Sequence, residues 1–253
     1  MIRIARTPMA TALVFAVVTA LPSVASEAGT VGTLSEDSPD EAPALIVSAD
    51  FNGDGIADLA EVTSPDRDPS GPRYLTVLLG RGGGTFRQAG SRPVLGRDPR
   101  SIVVGDFNGD GFPDVIVGDG DGSLIELLGD GKGNLLRVGD VARLGSIMSI
   151  AVGDFDHDGI LDLAVSDPLA NQVTVFLGSG NGSFRPVWTF SLPTQGMFYH
   201  LVSADFNGDG LPDLAVVNED GDSFEVMIGN GNGTFTYAPA LSHVRDPLFH
   251  CVT

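Results

Sequence analysis

A ten-residue phrase recurs four times in this chain and limits what it can fold into more than any other feature. It reads DFNGDGIADL at 50–59, DFNGDGFPDV at 106–115, DFDHDGILDL at 154–163 and DFNGDGLPDL at 205–214. The first aspartates of the copies lie 56, 48 and 51 residues apart. A second motif follows each copy: LLGRGGGTF (78–86), LLGDGKGNL (127–135), FLGSGNGSF (176–184) and MIGNGNGTF (227–235). From first aspartate to the leading glycine of that motif is 30, 23, 24 and 24 residues, the excess of the first unit falling in SPDRDPSGPRY. Two motifs in fixed order at a period near 50 residues mark a repeat array, in which each unit buries its faces against its neighbours.

Each unit parses into four short strands. ALIVSA, SIVVG, SIAVG and HLVSA precede the aspartates, and LAEV, VIVG, LAVS and LAVV follow them. LTVLL, LIELL, VTVFL and FEVMI lead into the glycines, and a fourth strand begins at TFRQA, NLLRV, SFRPVW and TFTYA. Short β-branched runs bounded by Gly, Asp and Asn are strands, and no segment holds a helical period. The Gly-Asn-Gly tips at 180–182 and 231–233 suit tight hairpins. That structural reading ranks above glycosylation at Asn181 and Asn232.

The expected fold is all-β: a β-propeller-like array of four four-stranded blades at about 44–100, 101–148, 149–199 and 200–247. A terminal strand, 248–253, is set apart because LFHCVT lines up with FYHLVS at 198–203. The array is therefore expected to be an incomplete or truncated propeller. Closure of a four-bladed ring by the last strand, or its use by a partner, are the alternatives.

The repeated phrase carries its own chemistry. Oxygen donors on positions 1, 3, 5 and 9, with a backbone carbonyl at 7 and Gly at 6, have the spacing of a calcium loop. The expected side-chain ligands are Asp50, Asn52, Asp54 and Asp58; Asp106, Asn108, Asp110 and Asp114; Asp154, Asp156, Asp158 and Asp162; and Asp205, Asn207, Asp209 and Asp213. The carbonyls of Ile56, Phe112, Ile160 and Leu211 complete the four sets. With no His or Cys on a ligand position, the donor sets suit Ca2+, about four ions in all, rather than zinc or copper. Asp-Gly-rich turns explain one such loop but not four. An EF-hand is the sharper rival, since Glu61 stands at position 12 of the first copy. Its flanks are strand-like, however, and Val117, Val165 and Val216 replace Glu61 in the other copies. His157 stands where the other loops have Gly and is expected to be solvated.

Residues 1–25 carry two arginines, an apolar run and small residues at its end, the layout of a secretory signal peptide. Residues 26–43 are acidic, small and aperiodic, and read as a flexible linker. The formal net charge of −19 excludes nucleic acid and anionic membrane surfaces as natural partners and favours cations. No membrane span is expected once the leader is removed, and the chain is expected to be secreted or at the cell surface. A single cysteine, Cys251, cannot close an internal disulfide, so another device must staple an exported chain.

These motifs resemble the FG-GAP (integrin α-subunit-like, VCBS-type) repeat, over residues 44–253. The resemblance implies calcium loops joining the first two strands of each blade, on one face of a propeller. It implies partner contacts on the opposite face, built here from loops near 63–74, 119–122, 167–172 and 218–223 and links near 91–100, 138–147 and 188–199. Integrin-type propellers have seven blades, and only four repeats are present. The functional expectation is a non-enzymatic, calcium-stabilised module for adhesion or recognition of a surface protein or glycan. Alternatives are an accessory domain of an extracellular polysaccharide-active enzyme, or a truncated repeat fragment. No nucleophile elbow, zinc helix motif or phosphate loop is present, and the four histidines show no partner spacing. Trp188, Phe190, Phe198 and Tyr199 could stack a sugar but rank first as packing between blades. Asp119 and Asp121, or Glu219, Asp220 and Asp222, could hold another cation but read first as solvated hairpin tips.

Overall fold

A computed structural model describes residues 45–63, 71–192, 199–218 and 223–238. The leader, the linker, Phe198, residues 219–222 and the segment 239–253 with its terminal strand and Cys251 lie outside the described residues.

Among the described residues, sixteen strands form four separate antiparallel sheets, each a simple up-and-down meander. Blade 1 comprises β1 (Leu45–Ala49), β2 (Asp58–Thr63), β3 (Tyr74–Gly80) and β4 (Phe86–Gln88). Blade 2 comprises β5 (Pro99–Gly105), β6 (Asp114–Asp119), β7 (Ser123–Gly129) and β8 (Leu135–Arg143). Blade 3 comprises β9 (Ser149–Gly153), β10 (Asp162–Asp167), β11 (Gln172–Gly178) and β12 (Phe184–Ser191). Blade 4 comprises β13 (Tyr199–Ala204), β14 (Asp213–Asn218), β15 (Ser223–Gly229) and β16 (Phe235–Tyr237). No helix among the described residues is long and apolar enough to cross a membrane. The segments 138–143 and 188–191, expected to be links, are strand: β8 and β12 run on beyond their hairpins through bulges opposite Ile125, Leu127 and Phe176.

The strands have the composition of covered surfaces, and the core lies between blades rather than within them. One apolar cluster joins Val62, Leu75 and Val77 of blade 1 to Val115, Val117 and Ile125 of blade 2. A second joins Val103, Ile116 and Leu124 of blade 2 to Ile150, Leu163 and Val165 of blade 3. A third joins Ala164, Val173 and Val175 of blade 3 to Leu201, Leu214 and Val216 of blade 4. The innermost strands touch in chain order, β1 with β5, β5 with β9 and β9 with β13. Between β13 and β1 there is no comparable contact among the described residues. Accordingly β6 and β10, sandwiched on both faces, are buried at every position, whereas β2 in the first blade alternates buried and half-buried residues. Strands covered on both sides read as continuous apolar runs, and strands covered on one side alternate.

Aromatic side chains follow the same logic. Trp188 and Phe190 of β12 stack on each other at 5.7 Å and 6°. They pack across to Phe235 at 5.3 Å and Tyr237 at 5.7 Å on β16. Tyr199 is buried in β13 and donates its hydroxyl to Asn171. These residues join blades 3 and 4.

Candidate metal centres

Each repeated phrase forms the connection from the first to the second strand of its blade, so all four loops leave equivalent ends of their sheets. The fixed distance to the second motif has a steric cause. A Cβ on Gly80, Gly129, Gly178 or Gly229 would stand 2.4, 2.3, 2.3 or 2.2 Å from the carbonyl oxygen of Ala57, Pro113, Leu161 or Pro212, the eighth residue of each loop. Only glycine lets the end of the third strand approach the loop that closely.

The contact is pinned by the ninth residue. Asp58, Asp114, Asp162 and Asp213 are buried, and each accepts two backbone N–H groups on separate oxygens. Asp162 takes Gly178 N–H on Oδ1 at 2.8 Å and Phe155 N–H on Oδ2 at 2.7 Å. Asp114 takes Gly129 at 2.8 Å and Phe107 at 3.0 Å. Asp58 takes Gly80 and Phe51, and Asp213 takes Gly229 and Phe206, in the same pattern. Burial pushes Asp114 and Asp162 up to about 6, against the pull of these N–H donors, and raises Asp58 as well. Neighbouring loop carboxylates push the same way. The carboxylate therefore holds the loop to the third strand, and its burial beside other loop carboxylates disfavours its charged form.

The first aspartate shapes the turn. Asp50 accepts Asp54 N–H at 3.1 Å and Gly55 N–H at 2.8 Å, and Asp106, Asp154 and Asp205 repeat the arrangement. In Asp205 these donors, Gly210 first, hold the carboxyl below its ordinary value. The fifth residue turns one oxygen to the N–H of the seventh, as from Ile56 to Asp54 at 2.8 Å. In three loops its other oxygen receives the amide of the third residue: Asn52 to Asp54 at 3.0 Å, Asn108 to Asp110 at 2.9 Å and Asn207 to Asp209 at 2.9 Å.

The loop at 154–162 departs from that arrangement. Asp156 replaces the asparagine and has no amide to donate. Its Oδ1 is buried without a hydrogen-bond partner among the described residues. Desolvation first, then the charges of Asp158 and Asp154, raise Asp156 above its ordinary value. Asp154, Asp156 and Asp162 bring carboxylate oxygens within 4.8 Å of one another. Among the described residues this is the one acidic cluster of metal-holding geometry, and Asp158 stands outside it. An orphaned buried oxygen among converging carboxylates fits a hard cation. His157, at the fourth position, is exposed with φ of 62°, matching Gly53 at 72°, Gly109 at 75° and Gly208 at 80°. Glu61 lies half-buried in β2, paired with Ile46 and Thr76, so the helix an EF-hand requires is replaced by strand.

The other end of the sheets holds acids whose role the sequence did not suggest. Asp119 is buried and accepts N–H groups from Asp98 and Asp121 at 3.1 Å. Asp167, also buried, accepts Gly145 at 2.7 Å, Ser146 at 3.2 Å and Ala170 at 3.0 Å. They clamp the link arriving from the preceding blade. Asp121 is the solvated tip, paired with Arg143 at 3.2 Å. Glu126 on β7 was also missed. It is buried beneath Gly182 of the next blade, its Oε1 lacks a partner among the described residues, and burial pushes it up to about 7. Val77, Val175 and Val226 occupy the equivalent positions, a contrast that singles it out.

The family model of the FG-GAP-like repeat matches the chain four times, at residues 50–117, 106–165, 157–216 and 205–248. Among curated proteins none matches. A solved structure of a protein from Lactobacillus plantarum is 18% identical, with a TM-score of 0.55, over 72% of this chain and 51% of that one. The structure of BBS1N in complex with ARL6DN, soaked with mercury, is 15% identical at a TM-score of 0.51, covering 79% of this chain and 55% of that one. Its lead-soaked counterpart gives 17%, 0.50, 76% and 52%. The chain thus spans about half the length of the solved structures it matches, and the likeness is one of fold.

Proposed function

The chain belongs to the FG-GAP-like repeat family, and on that premise we propose that it is an exported, non-catalytic recognition module whose blades are stabilised by Ca2+. The observation that carries the reading is the unpartnered buried Oδ1 of Asp156 among Asp154 and Asp162, in a loop whose pattern is written four times. Asp50, Asn52, Asp54 and Asp58 would hold one ion with the carbonyl of Ile56. Asp106, Asn108, Asp110 and Asp114, with Phe112, would hold the second. The third set is Asp154, Asp156, Asp158, Asp162 and Ile160, and the fourth is Asp205, Asn207, Asp209, Asp213 and Leu211. Bound Ca2+ supplies the positive charge that offsets thirteen carboxylates.

The chain's own residues then account for the coupling to stability. The ninth aspartate of each loop joins the loop to the third strand, and the carbonyl of the second residue reaches the next blade. Phe51, Phe107 and Phe155 accept N–H groups from Gly133, Gly182 and Gly233 at 2.9, 3.0 and 2.9 Å. Ordering a loop therefore orders a blade-to-blade junction, the stapling that one cysteine cannot provide. The leader at 1–25 supports export to a compartment where calcium is plentiful. With the loops committed to one end, the opposite end is the proposed recognition face for an extracellular protein or glycan. Calorimetric titration of the chelator-stripped mature chain with Ca2+ tests this. About four sites support the reading, and no uptake with folding intact reduces the aspartates to turns.

A further inference from the structure

The fourth blade exposes two residues that its predecessors bury. The phenylalanine after the first loop aspartate is 2%, 1% and 1% exposed at Phe51, Phe107 and Phe155, but 47% exposed at Phe206. Three residues before that aspartate, Val47, Val103 and Ala151 are 4%, 7% and 6% exposed, while Val202 is 49% exposed. These positions lie on different elements and form the face each blade turns to its successor. Phe107 and Phe155 meet Phe184 and Phe235 of the next blade edge to face at 5.8 and 5.4 Å, and their carbonyls accept that blade's hairpin N–H. Among the described residues, neither contact is made by Phe206.

Blade 1 carries the matching half of the junction. Gly84 is the equivalent of Gly133, Gly182 and Gly233. Its N–H has no partner among the described residues, and the space beside it is open, where a side chain from the preceding blade lies beside each of the other three. Phe86 stands where Leu135, Phe184 and Phe235 meet the preceding blade. Ile46 is half-buried, whereas Ile102, Ile150 and Leu201 at its equivalent positions are buried.

We propose that the open face of blade 4 docks on the open face of blade 1 of a second copy of this chain, repeating the junction that the chain makes three times internally. The contact is head to tail, Phe206 and Val202 of one copy meeting Gly84, Phe86 and Ile46 of the other. Heterologous contacts of this kind close a ring when the rotation permits. The four described blades of two copies make eight, within the range of propellers.

Sedimentation of the mature chain in Ca2+ is expected to give twice the monomer mass, and Phe206→Asp is expected to halve it with circular dichroism unchanged. Val202→Asp serves the same purpose should the first variant not fold. Ile46→Asp is likewise expected to be monomeric, and an equimolar mixture of Ile46→Asp with Phe206→Asp to recover a dimer, because each variant keeps one intact face. A monomeric wild-type chain, or a dimer that survives Phe206→Asp and Val202→Asp, overturns the proposal. A monomer would leave residues 239–253 of the same chain as the occupant. Mass is read independently of calcium uptake, so failure of this contact and failure of the calcium reading are distinguishable.

Discussion

Strand β10 begins and ends with a buried aspartate, and the two ends behave differently. At its end, Asp167 accepts three backbone N–H groups and clamps the link from blade 2. At its start, Asp162 accepts two, but it shares its surroundings with Asp154 and Asp156, whose Oδ1 has no partner. Burial alone therefore does not distinguish the two ends: among the described residues, only the loop end carries a carboxylate oxygen without a donor.

The largest expected effect separates the two ends directly. Asp162→Ala should cost about 3 kcal/mol in Ca2+ and remove one site, since it strips a ligand and leaves Phe155 and Gly178 N–H groups unpaired. Asp167→Asn should cost less, about 1 to 2 kcal/mol, because its amide oxygen replaces only one of the two accepting carboxylate oxygens, and should leave the calcium count unchanged. Denaturant unfolding with calcium titration reads both. Equal losses from the two variants would erase the distinction.

Glu126 extends the comparison to a buried acid with neither clamp nor loop. Its folded pKa of about 7 lies above its ordinary value of 4.5, so the folded chain keeps a proton that the unfolded chain gives up. The contribution of this group to stability is then greatest below 4.5 and is lost as pH rises through 7. Glu126→Val, matching the other blades, should raise stability in chelator by roughly 2 kcal/mol above pH 7 and by less at pH 5. A gain independent of pH would assign the effect to packing instead.

Much of this fold could be read in the chain, for identifiable reasons. Strand positions follow from short apolar runs between Gly-Asp turns, and the position of the aspartate loops from their fixed offset to a glycine. The between-blade role of Trp188 and Phe190 was the favoured reading and is observed. What stayed hidden depends on contacts between units. Asp119 resembles a solvated tip until the link from blade 1 passes over it. Phe206 has the same local sequence as Phe51 and Phe107, and its exposure reflects what lies beyond the blade. Asp156 was read as one more ligand, and only the lost amide donation to Asp158 shows why that loop differs.

That loop supplies a subtler test. Asp156→Asn restores the arrangement of the other three loops, so stability in chelator should rise by about 1 kcal/mol while calcium affinity at that site falls severalfold. An unchanged affinity would show that the extra carboxylate does not face the ion. The smallest effect concerns pH. Asp114 and Asp162, held up at about 6, must release protons before they can ligate. Calcium affinity should weaken as pH falls from 7 to 5 and level off above 7, which calorimetry at several pH values would show. A flat profile would exclude these carboxyls from the sites.

The most direct test is the melting temperature of the mature chain and of Asp110→Ala, each in Ca2+ and in chelator. Loops acting as metal staples predict a large rise on adding Ca2+ to the wild-type chain. They also predict a smaller rise for Asp110→Ala, and a gap between the two that is much smaller in chelator than in Ca2+. Equal loss of stability by the variant in both conditions would contradict the account, leaving Asp110 a turn residue and nothing more.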